Sequence, residues 1–297
     1  MTTDVLPVDI APNREFLADG RAFFGVVVVG AVIFAAILAP YLSTGDPNAQ
    51  GDVVATRFLS PLTTDGTGAF HLLGTDRFGR DVWTRLLYGA RVSLLVGILA
   101  MAISLLLGMA AGTTAGVFQR RLGAGVMAFT DFALALPRVV LLLLLTALWK
   151  PSALLVIIVL GLTGWMSIAR LVYGETRALV ARPFVESAYA LGSRRLRVLR
   201  RHVVPNTLTP VIAASALGVG NAIMLEAGLS FLGLGVQPPA ASWGNMIASG
   251  RDTLVNAPWV AAAPGVALVL VVVAFTLLGD AIRDRLDVAG TGTGQAQ

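Results

Sequence analysis

Three ionisable side chains stand inside otherwise apolar stretches: Asp131 and Arg138 in GVMAFTDFALALPRVVLLLLLTALW, and Glu226 in IMLEAGLSFLGLG. A charge in hydrocarbon is costly, so residues of this kind line polar passages, carry protons or neutralise one another. Asp131 and Arg138 are seven residues apart, hence on one face of a helix, with Pro137 beside the second. They either pair at a bundle interface or line a pathway. Glu226 is followed by Gly228, Gly233 and Gly235, which predict a helix that ends or bends shortly after it. These scattered charges are too few for a proton relay.

Other chemistries lack their parts. Cysteine is absent, which removes disulfides and thiolate-bound metal. The two histidines, His71 and His202, are separated by three apolar runs and fall on opposite sides of a membrane, so they build no shared metal site. His202 reads as a helix-end or interface residue. A phosphate-binding loop needs G-x-x-x-x-G-K-[ST], and the lone lysine, Lys150, stands in LWKPS. No G-x-S-x-G elbow occurs. The chain is therefore expected to be no enzyme, to bind no metal or cofactor, and not to hydrolyse ATP itself.

The elements that must position these residues are membrane spans. Hydrophobic residues make up 56% of the 297 and charged residues only 13%, with a mean hydropathy of +0.78; soluble chains carry about 25% charged residues. Runs long enough to cross are 22–45, 92–119, 124–149, 152–171, 207–235 and 258–280, which predicts six transmembrane helices in an all-α, polytopic membrane protein. A signal peptide fits the first run poorly, because the run is long and no A-x-A-like cleavage site follows before Pro40. With the N-terminus cytoplasmic, fourteen arginines fall inside and seven basic residues outside, with Arg138 in the membrane. That asymmetry places both termini in the cytoplasm. It also explains the net charge of +5 without nucleic acid. The chain divides into a cytoplasmic segment 1–21, a first helix with a long outer loop at 22–91, a five-helix core at 92–287 enclosing a cytoplasmic loop 172–206, and a flexible tail 288–297. In the second span Gly108, Gly112 and Gly116 form a ladder at one-turn spacing, suited to close approach by another helix.

The loop holds five arginines between Arg194 and Arg201. FVESAYAL predicts a short helix capped by Gly192. RRLRVLRRHVV predicts a second, with Leu196, Leu199 and Val203 on one face, stopped by Pro205. Two short helices parallel to the membrane would form a knob for a partner protein, or an interfacial segment for anionic lipid.

The order of residues in this loop, Glu186, Ser187, Ala188 and Gly192 closing with His202, Pro205 and Asn206, resembles the E-A-A…G…H-x-x-P-N loop of binding-protein-dependent ABC importers. The segments HLLGTDRFGRDVWTRLLYGARVSLL (71–95), LSFLGLGVQPPAASWGNMI (229–247) and FTLLGDAIRDRLD (275–287) likewise resemble the C-type permease subunit of the dipeptide and oligopeptide (peptide/nickel) transporters. The resemblance covers roughly 20–287. It implies the type I ABC importer permease fold in a bacterial inner membrane, with an ATPase-docking site made of Phe184, Val185, Glu186, Ser187, Ala188, Tyr189, Leu191, Gly192, Ser193, Arg194, His202 and Pro205. The implied partners are a B-type permease subunit as heterodimer, two cytoplasmic ATPases that carry ATP and Mg, an extracytoplasmic solute-binding protein, and membrane lipid. Asp131, Arg138 and Glu226 become candidates for the translocation pathway. Di- and oligopeptides are the first cargo, with nickel or haem as alternatives in the same family. An ion-driven secondary transporter is the remaining rival, and the sequence shows no convincing internal repeat for it. Ser187 replaces the usual alanine, Ser193 and Arg194 stand where Ala and a small polar residue are more usual, and Arg138 takes a place usually small or apolar.

Overall fold

The computed structural model describes residues 19–43, 45–118 and 121–291, without the side chains of Tyr189, Arg195 and 286–291. The expected N-terminal segment as far as residue 18, Arg120, the Tyr189 side chain and the tail from residue 292 lie outside the described residues.

Helix α1 (Gly20–Ile37) starts where the Asp19 carboxylate accepts the Arg21 amide, and a short α2 (Ala39–Leu42) follows. The segment from Ser43 to Asp81 folds on itself. It holds α3 (Val53–Thr56), capped by Asp52, and a two-residue antiparallel hairpin of β1 (Thr63–Thr64) and β2 (Phe70–His71) that pairs Thr63 with His71. Its aspartates act locally. Asp65 accepts the Thr67 hydroxyl at 2.6 Å and the Ala69 amide at 2.9 Å, donors that hold its carboxyl down at about 2. Asp76 forms a buried ion pair with Arg80 at 2.6 Å.

The second long helix, α4 (Val82–Val117), starts at Val82, ten residues before the expected run. A charge-free window stops at Arg91, yet Arg85 and Arg91 lie on this helix because carbonyls satisfy them. Arg85 Nη1 donates to Pro47 O at 3.0 Å, and Arg91 Nη2 to Ile37 O at 2.7 Å. The expected third span, 124–149, is not one rod. Helices α5 (Arg121–Ala135) and α6 (Arg138–Ala147) meet at 83°. Pro137 is extended, at φ −60° and ψ 110°; it removes an amide donor and disfavours a helical Leu136, so the ladder breaks there.

Helix α7 (Ala153–Val180) follows a Ser152 cap and passes the expected end at 171 by nine residues. After α8 (Pro183–Ala190) come α9 (Arg195–Val198), a π-turn (Leu199–Val203) and α10 (Val204–Phe231). A connecting segment that carries the largely buried α11 (Trp243–Gly250) leads to α12 (Trp259–Thr291). Five helical stretches among the described residues are long and apolar enough to cross a membrane, and the bent pair α5–α6 makes six when counted as one broken span.

The glycine ladder fixes the centre. A Cβ on Gly108 would lie 2.6 Å from Ile168 Cβ, one on Gly112 2.7 Å from Val172 Cβ, and one on Gly116 against Thr176. Each step of four along α4 meets a step of four along α7, so the two helices run parallel in close contact. Gly97 meets Ile223 and Gly218 meets Met101, the falling register of an antiparallel α10. Gly220 and Gly279 set α12 antiparallel to α10 through Phe275 and Leu217. An Arg21–Asp284 ion pair of 2.9 Å joins the first helix to the last, which brings both ends of the described chain together.

Candidate functional site

The arginine-rich segment forms a compact knob at one end of the bundle. Helix α8 closes on Gly192, whose φ of +81° is open to glycine without strain. The Ser193 amide donates to Ala188 O at 3.0 Å, the bond that closes a helix ending of this kind. Arg194 O then accepts the Arg197 amide at 2.9 Å and opens α9. The Ser187 hydroxyl returns to Pro183 O at 2.9 Å, and the Phe184 and His202 rings lie 6.1 Å apart. Glu186 stands exposed in the first turn of α8, where the helix dipole favours a carboxylate. Leu191, 87% exposed, projects from the tip.

Two expectations for the knob are corrected. Pro205 does not stop the second helix, because α9, the π-turn and α10 run on as one apolar rod from Leu196 to Phe231. Pro205 sits in the first turn of α10, and the wider π-turn before it takes up the lost ladder bond. Of Leu196, Leu199 and Val203, expected on one face, Leu199 and Val203 pack into one cluster and Leu196 does not. Leu196 is exposed, and Val198 and Val203 are fully buried with Val185. They are five residues apart, the repeat of a π-turn, so the irregular turn brings both valines onto one face. This valine cluster anchors α8 to the end of the fifth span.

The three membrane charges separate in space. Asp131 pairs with Arg170 at 3.2 Å on an exposed face, and not with Arg138, because the bend at Pro137 turns the two off a shared face. Glu226 is fully buried. It accepts the Ser93 hydroxyl at 3.0 Å and the Ser230 hydroxyl at 2.7 Å; Ser93 in turn accepts the Trp243 amide at 3.3 Å, and Ser230 the Val236 amide at 3.0 Å. The carboxylate thus ties α4 and α10 to the segment that leads into α11. The sequence offered one cue for this cage, since Ser230 is one turn after Glu226; Ser93 is distant in sequence and gave none. Beyond it α10 ends at Phe231, and Gly233 at φ +78° closes it, as the glycines predict.

Arg138 lines a cavity of about 220 Å³ with Ser104, Gly164, Ser167, Gly218 and Asn221, between α4, α6, α7 and α10. Asp131 and Glu226 are not among its lining residues. Ser104, Ser167 and Asn221 were not singled out in the sequence, where uncharged polar residues in an apolar run look like ordinary packing.

Comparison with known proteins agrees with this architecture. Residues 104–289 match the family described as binding-protein-dependent transport system inner membrane component. A Brucella suis chain named for a peptide transport system permease is 40% identical over 282 residues, 95% of this chain and 92% of that one. The di/tripeptide transport system permease protein DppC of Pseudomonas aeruginosa is 36% identical across 92% of this chain and 90% of its own length. DppC of Alkalihalophilus pseudofirmus, a dipeptide transport system permease protein, is 35% identical across 94% of this chain and 90% of its own length. Among solved structures, the MetNI methionine ABC transporter in an inward-facing conformation aligns with a TM-score of 0.56 at 19% identity, over 67% of this chain and 95% of that one. It is a likeness of fold: the all-α permease fold of a type I ABC importer. With its model matched over more than half of the residues and relatives alike over nearly the whole length, the chain belongs to the family of binding-protein-dependent transport system inner membrane components.

Proposed function

We propose that this chain is the membrane-spanning subunit of an ATP-driven importer of di- and oligopeptides, forming half of the translocation pathway. Both termini and the knob lie on the cytoplasmic side, consistent with the arginine asymmetry of the sequence. A similar B-type permease subunit completes the pathway, an extracytoplasmic binding protein delivers cargo, and two cytoplasmic ATPases hold ATP and Mg. This subunit performs no hydrolysis.

The observation that carries the reading is the knob itself. A short helix with an exposed acidic first turn, pinned by Val185, Val198 and Val203, is a rigid projection suited to the groove of a partner protein. The three valines turn inward and hold the fold of the knob, while Leu191 and Leu196 stand exposed, where a partner's groove can receive them. The exposed arginines flank the projection, where lipid headgroups or acidic groups on an ATPase can meet them. Peptide cargo is supported by the names of the relatives.

The test is uptake of a labelled dipeptide into proteoliposomes holding the whole complex. Uptake that requires hydrolysis-competent ATPases, with no hydrolysis by the purified chain alone, supports the reading. Uptake driven by an ion gradient without ATP refutes it.

A further inference from the structure

Arg138 is an unusual charge to find in this position. It opens α6, directly after Pro137, so a cation stands at the positive end of a helix dipole, where an anion would be favoured. Its Nε is buried and has no hydrogen-bond partner. Asp131, the nearest acid in sequence within the span, is engaged by Arg170 on another face. A Cβ on Gly164 would press first on the Ser104 hydroxyl and would lie 3.3 Å from Arg138 Nη2, so the missing side chain leaves room for both groups. The surrounding residues are drawn from α4, α7 and α10, and from well inside those helices rather than from their ends. A guanidinium with no ion-pair partner among the described residues, beside a helix N-terminus and facing a partly polar, partly open cavity between α4, α7 and α10, is a site waiting for a negative charge.

The cavity, about 220 Å³, is smaller than the roughly 300–1,000 Å³ of a pocket that encloses a whole small ligand. It therefore suits the end of a cargo molecule. Ser104 is already committed, donating to Gly161 O at 3.1 Å, which leaves the hydroxyl of Ser167 on α7 and the amide of Asn221 on α10 among the lining groups to complete the shell. Resting on the peptide-importer reading, we propose that Arg138 receives the terminal carboxylate of a peptide on its way through the membrane, with Asn221 and Ser167 as supporting donors. The guanidinium fork matches a carboxylate in two parallel hydrogen bonds, which lysine would not reproduce. The site selects cargo that carries a free carboxyl end, independently of side-chain identity.

The experiment uses the whole complex in proteoliposomes with labelled dialanine and dialanine amide, each at a concentration that saturates the binding protein. The wild type should carry dialanine about tenfold faster than the amide, the worth of one charge-assisted hydrogen bond. Arg138→Gln should lower the dialanine rate about tenfold and leave the amide rate unchanged or raised, so that the preference disappears. Arg138→Met removes an unpaired charge from the membrane and has the same expected outcome; it serves if the Gln variant does not assemble. Equal loss for both probes in an intact complex would mean that Arg138 neutralises an acid on a partner chain, and the proposal fails. An unchanged preference also overturns it. If the wild-type complex hydrolyses ATP but carries neither probe, the peptide reading itself fails and takes this inference with it.

Discussion

Replacing Gly112 with alanine tests whether the glycine ladder holds this subunit together. The added Cβ would lie 2.5 Å from Ala169 O and 2.7 Å from Val172 Cβ. Both atoms belong to or adjoin the α7 backbone, so no rotamer change relieves the contact, and the two helices must part by about an ångström. Overpacking of this kind costs about 1–3 kcal/mol, while the helix propensity gained on replacing glycine returns at most about 1 kcal/mol. Gly30 supplies the control, because a Cβ there meets nothing within 4 Å. The purified chain should lose helical structure at lower denaturant for Gly112→Ala than for wild type, and Gly30→Ala should match or exceed wild type. The expected difference between the two variants is about 2 kcal/mol. If the variants melt together, the packing of α4 on α7 is not what the ladder is for. A loss confined to assembly, with the isolated chain unaffected, would assign the ladder to the partner subunit instead.

Glu226→Leu should destabilise the chain by about 1–3 kcal/mol for each serine hydroxyl that it orphans, and Glu226→Gln should retain most of the stability, read from the midpoint of unfolding. Ser193→Cys and Val255→Cys should react with impermeant reagents from opposite faces of sealed vesicles; Val255, 95% exposed, is open to the reagent. Labelling of both from one face contradicts the proposed topology. At the knob, Glu186→Lys and Gly192→Val should leave insertion intact and abolish cargo-stimulated ATP hydrolysis, the second by forcing a branched residue to φ +81° at a cost of about 1–2 kcal/mol. Arg200→Gln with Arg201→Gln should be milder; the opposite order of severity, measured as stimulated ATPase in the intact complex, favours lipid anchoring.

What sequence could reveal followed the range of the interaction involved. The ladder was legible because helical spacing puts Gly108, Gly112 and Gly116 on one face whatever the partner is, although the partner, α7, was not. The Gly192 cap was legible because the left-handed region is open to few residues. The third span failed as a continuous rod, since apolar composition measures length in residues and is blind to an 83° turn. Leu136–Pro137 was the available cue. The Asp131–Arg138 pair failed for the same reason: spacing predicts a shared face only on an unbroken helix, and Arg170 lies on another element. The inward face of the knob was misread because a 3.6-residue repeat was assumed across a π-turn, which selects Val198 in place of Leu196. The segment 45–81 carried no periodic signal, and its folding rests on aspartate caps and the buried Asp76–Arg80 pair, short-range contacts that no repeat announces.

The unexpected continuity of α9, the π-turn and α10 matters most for coupling. Had Pro205 ended a separate helix, the knob would hang on a hinge and a push on α8 would dissipate there. Instead the valine cluster fastens α8 to the beginning of a rod that runs to Phe231. The residues from Val198 to Gly218 span about 30 Å at 1.5 Å per residue, which reaches from the knob to the cavity wall formed by Gly218 and Asn221. Farther along, the same rod carries Glu226 and is bound through it to α4 and the segment that leads into α11. A displacement of the knob is passed toward the cavity wall along one helix, with Pro210 as the place where it can bend, while Arg138, mounted on the separate α6 beyond the break at Pro137, need not follow. The broken third span then has a mechanical sense. It puts the fixed charge and the moving wall on different bodies, so that the distance between Arg138 and Asn221 is the coordinate along which a docked partner could open or close the polar shell.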